Sequence, residues 1–347
     1  MHRRLIAFVG SLVLILSSVW LFAKLSASDG SQIELLNVSY DPTRELWRDI
    51  NKEFIAHFQK QTGQVVSIKQ SHGGSGSQAR AVIDGLGADV VTLALWGDTD
   101  ALRRKGLIRE NWEETFPNRS LPYTSTIVFV VRKGNPKNIR DWSDLARPDV
   151  VVVTPNPKTS GNGKLSFLAA WGSVTTRGGT EEEAQRLVQQ LYKNTPVLDT
   201  GARGATSTFA QKGIGDVHLT WENEANLEVA EAGGALEIIY PPVSIQAEPH
   251  VALVDQNVAR RGTEATARAY LEFLYTPEAQ EIIAKHFYRP SNPEVFAKNS
   301  DRFPTIELFP PTAIAPDWDA LQERFFKEGA LFDSLYAGGA ASSANNR

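Results

Sequence analysis

The 347-residue chain has no cysteine. That excludes a disulfide framework, thiolate metal sites and a lipid-modified cysteine. Histidine is scarce, with six in the whole chain and none in a paired ligand motif, so a metal-dependent enzyme lacks its usual ligands. No Walker A lysine follows any of the glycine clusters, which leaves nucleotide hydrolysis without its phosphate cradle. An excess of one charge is also missing: 36 Lys and Arg stand against 40 Asp and Glu, for a net charge of -4. A chain so balanced has no general attraction for nucleic acid, and any anion selectivity must come from a local site. No cofactor is expected.

One long apolar run is present, Leu5 to Ala23, directly after Met1-His2-Arg3-Arg4. A basic start followed by a hydrophobic stretch is the pattern of an export signal, and the small residues of Ser26-Ala27-Ser28 suit a signal peptidase. Residues 1–27 are therefore expected to be a signal peptide and the mature chain periplasmic. The competing reading is an uncleaved anchor, because about 20 apolar residues are enough to span a bilayer.

Past this segment, short apolar runs alternate with helical patterns, the sequence form of an α/β fold with helices covering a largely parallel sheet. Ile33 to Tyr40 reads as a strand. Asp41-Pro42 then supplies an N-cap acceptor and a residue preset for the first helical position, and Leu46, Ile50, Phe54 and Phe58 form one buried helical face. Further strands are expected at 65–68, 89–95, 127–132, 150–154, 217–220 and 251–254, and helices at about 263–275 and 277–287. The Ala/Gly/Ser-rich end, 336–347, has the composition of a disordered tail.

Four strand-to-helix junctions are rich in small residues: Ser39-Tyr40-Asp41-Pro42-Thr43, Ser71-His72-Gly73-Gly74-Ser75-Gly76, Thr159-Ser160-Gly161-Asn162-Gly163 and Gly201-Ala202-Arg203-Gly204-Ala205-Thr206. A helix N-terminus leaves backbone N–H groups unpaired and carries partial positive charge, so a compact oxyanion can rest there without a lysine or arginine. Glycine permits close backbone approach, and a serine hydroxyl adds a donor. Each loop alone is ordinary for an α/β protein; four together point to an oxyanion.

Several long stretches resemble the bacterial periplasmic sulfate-binding proteins, the receptors of sulfate and thiosulfate ABC importers. They include LLNVSYDPTREL from Leu35, QSHGGSGSQA from Gln70, PYTSTIVFVVRKGNPK from Pro122, TPNPKTSGNG from Thr154, DTGARGATSTF from Asp199, TWENEA from Thr220 and YLEFLYTPEAQEIIAKHFYRP from Tyr270. The resemblance implies a type II two-lobed binding-protein fold, each lobe a mixed sheet flanked by helices, with the ligand between lobes. It sets lobe I at 31–122 and 250–335 and lobe II at 123–249. It further implies that sulfate is held by uncharged donors: the backbone N–H groups of Asp41, Ser160, Gly161, Asn162 and Ala202, the hydroxyl of Ser75 and the indole N–H of Trp221. The family pattern has a second glycine where Asn162 stands, but Asn keeps the backbone donor and tolerates unusual φ. The partners implied are sulfate or thiosulfate and a membrane permease. Nothing in the sequence demands an oligomer, so a monomer that docks transiently on the permease is expected.

Other readings compete for single residues. Trp221 by itself reads as core, His72 as structural, and Arg203 as support for its loop. Ser75 near His72 suggests a serine hydrolase, but the nucleophile elbow needs glycine two residues after the serine, and Ser77 is there.

Overall fold

The computed structural model describes residues 32–336. The expected signal at 1–27 and residues 337–347 of the expected tail lie outside them; Tyr336 closes a helical stretch over 331–336. In chain order the strands are β1 (Ile33–Tyr40), β2 (Val66–Gly73), β3 (Val90–Thr92), β4 (Tyr123–Arg132), β5 (Val152–Pro155), β6 (Leu198–Asp199), β7 (Val217–Trp221), β8 (Leu236–Ile239), β9 (Val243–Ala247), β10 (Val251–Leu253), β11 (Arg289–Pro290) and β12 (Glu307–Phe309). The helices that carry the site are α1 (Arg44–Thr62), α2 (Ser75–Ile83), α3 (Trp96–Arg104), α4 (Gly161–Thr175), α5 (Ala202–Thr206) and α6 (Glu222–Glu231).

Two sheets divide the strands. The first has the order β10-β3-β1-β2, with β1 parallel to β2 and β3, and β10 antiparallel to β3. The second runs β12-β9-β4-β7-β5-β6, with β8 and β11 also paired to β4. There β4 is antiparallel to β7, β8, β9 and β11, while β5 is parallel to β6 and β7. Each sheet is thus mixed. The chain crosses from the first to the second after β3, returns between β9 and β10, and crosses again near β11.

Each sheet has its own core. Beside the first, Leu46, Ile50, Phe54 and Phe58 are buried on one face of α1, as their spacing requires, and pack with Tyr270, Phe273 and Ile283. Burial of each such side chain contributes roughly 1.5–3 kcal/mol. On the second sheet, Ile127, Phe129 and Val131 of β4 join Phe167 and Trp171 of α4. Alternate residues of a strand face one side, so this i, i+2 set lies together.

The end of the chain departs from the expected division. Residues 307–335 were expected with lobe I, yet β12 pairs with β9 of the second sheet. Leu321, Phe325, Phe326, Phe332 and Leu335 are buried in the second core, with Phe325 and Phe326 edge-on to Phe167. The aromatic side chains decide this: they need an apolar face, and α4 offers one. The segment also reaches back, since Arg104 of α3 pairs with Asp319 at 2.8 Å.

Candidate functional site

The four junctions singled out by composition meet. A small cavity is lined on the first-sheet side by Tyr40, Asp41, Pro42, Gly73, Gly74, Ser75 and Ala94, and on the second-sheet side by Ser160, Gly161, Asn162, Ala202 and Trp221. All seven residues expected to bind ligand are among them. No lysine, arginine or histidine lines the cavity among the described residues. Two larger, open depressions, one around Gly134 and Tyr240 and one around Arg80 and Lys158, include none of the seven.

Each donor is placed by the end of a strand or the start of a helix. Tyr40 ends β1, and Asp41 begins a short 3-10 turn, Asp41–Thr43, with Pro42 at its second position. The expected N-cap role of the Asp41 carboxylate is not seen: no side chain caps that turn, and the carboxylate accepts from Arg44 at 2.7 Å. The ion pair one turn away is the stronger partner for a charged group. Ser75 opens α2 directly after Gly74.

On the opposite wall, Ser160 is the N-cap of α4, its Oγ accepting from the Gly163 N–H at 3.4 Å. Its own N–H donates to the Asn156 carbonyl at 2.9 Å. Ser160 is thus a cavity wall and a cap whose backbone donor is already engaged. Gly161 and Asn162 occupy the first two helical positions, where no carbonyl one turn earlier exists for their N–H groups. The Asn162 side chain turns away from the cavity, donating to the Leu219 carbonyl at 3.3 Å and accepting from Ser166 at 3.1 Å. That explains how Asn replaces glycine here: the amide is absorbed by the second core and the backbone donor stays in place. Ala202 opens α5, and Trp221 ends β7 with its ring 5.4 Å from that of Tyr40. Trp221 is 1% exposed, so it is both a core residue and a wall of the cavity.

Two glycines let the walls approach. A Cβ on Gly161 would lie 2.8 Å from Ala94 Cβ, and one on Gly74 would lie 2.7 Å from the Thr159 carbonyl oxygen. Both contacts run between the two sides of the cavity, so any larger residue would wedge them apart.

The charged groups nearby are spoken for. Arg203 donates to Glu45 at 2.6 Å, and its Nε lies 2.8 Å from a Glu224 carboxylate oxygen. Burial opposes the Arg203 charge, and the two carboxylates outweigh it, so its pKa is raised. Burial pushes Glu224 up to about 8, against the pull of Arg203. His72 meets Ser39 Oγ through Nδ1 at 2.6 Å rather than Ser75, and burial lowers its pKa to about 4. The His72 imidazole is thus neutral and paired with a different serine. The cationic and histidine side chains near the cavity are thus paired elsewhere and do not line it.

Three residues of the surroundings were not anticipated: Asp98, which accepts from the Ser75 hydroxyl at 2.6 Å, and Glu45 and Glu224, which hold Arg203. Asp98 stands in the first turn of α3, itself a strand-to-helix junction, so that one signal was available in the sequence. Its pairing with Ser75, 23 positions away, was not.

Residues 47–289 match the family model described as bacterial extracellular solute-binding protein. The chain is 51% identical over 324 residues to the sulfate-binding protein of Salmonella typhimurium, covering 93% of this chain and 96% of that one. The chain belongs to the sulfate-binding protein family of bacterial extracellular solute-binding proteins. A thiosulfate-binding protein of Pseudomonas aeruginosa is 48% identical, with 87% of this chain and 92% of that one covered. Among solved structures, the sulfate-binding protein SubI of Mycobacterium tuberculosis superposes with a TM-score of 0.77 at 32% identity, covering 85% of this chain and all of that one. The fold is the two-lobed, type II form of the family, with lobe I built on the first sheet and lobe II on the second.

Proposed function

We propose that the chain is an extracytoplasmic receptor that captures sulfate in the cavity between its lobes and delivers it to the membrane permease of an ABC importer. The observation that carries this is the convergence, from both lobes, of neutral donors on one cavity without a cationic side chain. The backbone N–H groups of Asp41, Gly161, Asn162 and Ala202, the indole N–H of Trp221 and the hydroxyl of Ser75 are its ligands. Ser160 shapes the wall and caps α4. Sulfate is unprotonated near neutral pH and only accepts hydrogen bonds, whereas phosphate at that pH still carries protons; a wall of donors favours the former. The relatives named for sulfate support this reading.

Ligand joins the two walls, so it stabilises a closed arrangement that the permease reads. Donor-to-anion hydrogen bonds are worth about 1.5–3 kcal/mol each, opposed by stripping water from a dianion and by closing the lobes. A net free energy near -8 kcal/mol, a Kd of about 1 µM, is expected. The protein acts as a monomer and performs no catalysis.

A thiosulfate preference is the second reading, favoured by the 48% identity to a thiosulfate-binding protein. Calorimetric titration with sulfate, thiosulfate and phosphate at pH 7.5 tests both. Sulfate binding without phosphate binding is expected; tighter binding of thiosulfate establishes the second reading, and no heat with either sulfur oxyanion sinks both.

A further inference from the structure

The hydroxyl of Ser75 has one proton and two claimants. Ser75 is 1% exposed, and its Oγ accepts from the Ala94 N–H at 3.0 Å. The same oxygen lies 2.6 Å from Asp98 Oδ2. An amide N–H can only donate and a carboxylate can only accept, so the Ser75 proton lies on the line to Asp98. Among the described residues this hydroxyl is the one side-chain donor to the Asp98 carboxylate. Asp98 itself does not line the cavity; it stands behind Ser75, half-buried in the first turn of α3.

We infer that Asp98 is a positioning residue that competes with the bound oxyanion for the Ser75 proton, holding the site below its attainable affinity. This rests on the sulfate reading of the cavity. For Ser75 to donate to an oxyanion, its O–H must rotate off Asp98, since the Ala94 N–H already occupies one side of Oγ. The carboxylate then loses a charge-assisted hydrogen bond and is satisfied by water instead, which its partial exposure allows. As the lobes part, Asp98 recaptures the proton and the oxyanion loses a donor, so the same pair favours release. Asn in place of Asp98 can donate its amide N–H to Ser75 Oγ, which leaves the hydroxyl proton free to turn permanently toward the cavity.

Sulfate titration of four full-length proteins by calorimetry tests this: wild type, Asp98→Asn, Ser75→Ala and the double variant. Asp98→Asn is expected to bind sulfate at least three-fold tighter, and that gain is expected to vanish in the Ser75→Ala background. An equal gain in both backgrounds would mean that removal of a negative charge is the whole effect, and would overturn the competition. An unchanged or weaker Kd for Asp98→Asn overturns it too, while leaving the site reading intact if wild type binds sulfate. A wild type that binds none overturns both. Circular dichroism checks that each variant folds; if Asp98→Asn does not, Asp98→Ala removes the same acceptor and carries the same expectation.

Discussion

Arg203 of lobe II and Glu45 of lobe I form an ion pair at 2.6 Å across the cleft, between the start of α5 and the first turn of α1. It lies beside the cavity without lining it, so it bears on closure rather than on direct contact with ligand. Both side chains are about one-third exposed, which limits such a pair to roughly 0.2–1 kcal/mol. Glu45→Gln is expected to weaken sulfate binding by up to about five-fold. It is also expected to raise the radius of gyration at subsaturating sulfate. An unchanged affinity in calorimetry would show that the pair has no part in closing the lobes.

Trp221 lines the cavity and its ring packs against Tyr40; the proposed site uses its indole N–H as a donor. Trp221→Phe keeps much of the ring and deletes the donor. Sulfate affinity is expected to fall by about 1.5–3 kcal/mol, the range for a hydrogen bond to a charged group. Retention of wild-type affinity would remove Trp221 from the site.

A buried ion pair elsewhere serves the fold. Glu222 at the start of α6 accepts from Arg289 of β11 in a bidentate pair at 2.7 and 2.8 Å, with both residues buried. Removing one partner leaves the other charge buried alone, a cost of about 3–5 kcal/mol. Glu222→Ala is expected to lower the urea midpoint accordingly. A variant as stable as wild type would mean that Arg289 finds solvent or another acceptor.

Acid stability is governed in part by His250, buried at 1% exposure and edge-on to Trp112 at 5.4 Å. Burial pushes its pKa down to about 4. The folded chain keeps it neutral, whereas the unfolded chain takes up a proton below about 6.5. Its contribution is therefore fully present above pH 6.5 and is lost as pH falls toward 4, by up to about 3 kcal/mol. Urea unfolding of wild type and His250→Phe at pH 7 and 4.5 tests it: the variant should lose less stability on acidification. An identical loss in both would place the acid sensitivity elsewhere.

The strands and the α1 face were legible from local pattern alone. Ile33–Tyr40 was found to the residue, and Leu46, Ile50, Phe54 and Phe58 came from a spacing that a helix must bury on one side. Boundaries moved where pairing extended a strand beyond its apolar run: β2 continues through Ser71-His72-Gly73 because β1 runs parallel beside it, Tyr40 opposite Gly73. The four junctions were visible because glycine and serine at strand ends leave their mark in composition.

What the sequence determined was the supply of donors: helix starts at Ser75, Gly161 and Ala202, a turn at Asp41, an indole at Trp221. Their spacing along the chain does not say that they share a cavity; that follows from the strand ends and helix starts of the two lobes meeting, with Gly74 and Gly161 letting the walls approach. Charge neutralisation was likewise decided in three dimensions. Arg203 is bound to carboxylates 158 and 21 positions away, and Ser75 to one 23 positions away. Backbone conformation is set by neighbours in sequence, but the partner of a charge or a hydroxyl proton is set by whatever group the fold brings within hydrogen-bond reach.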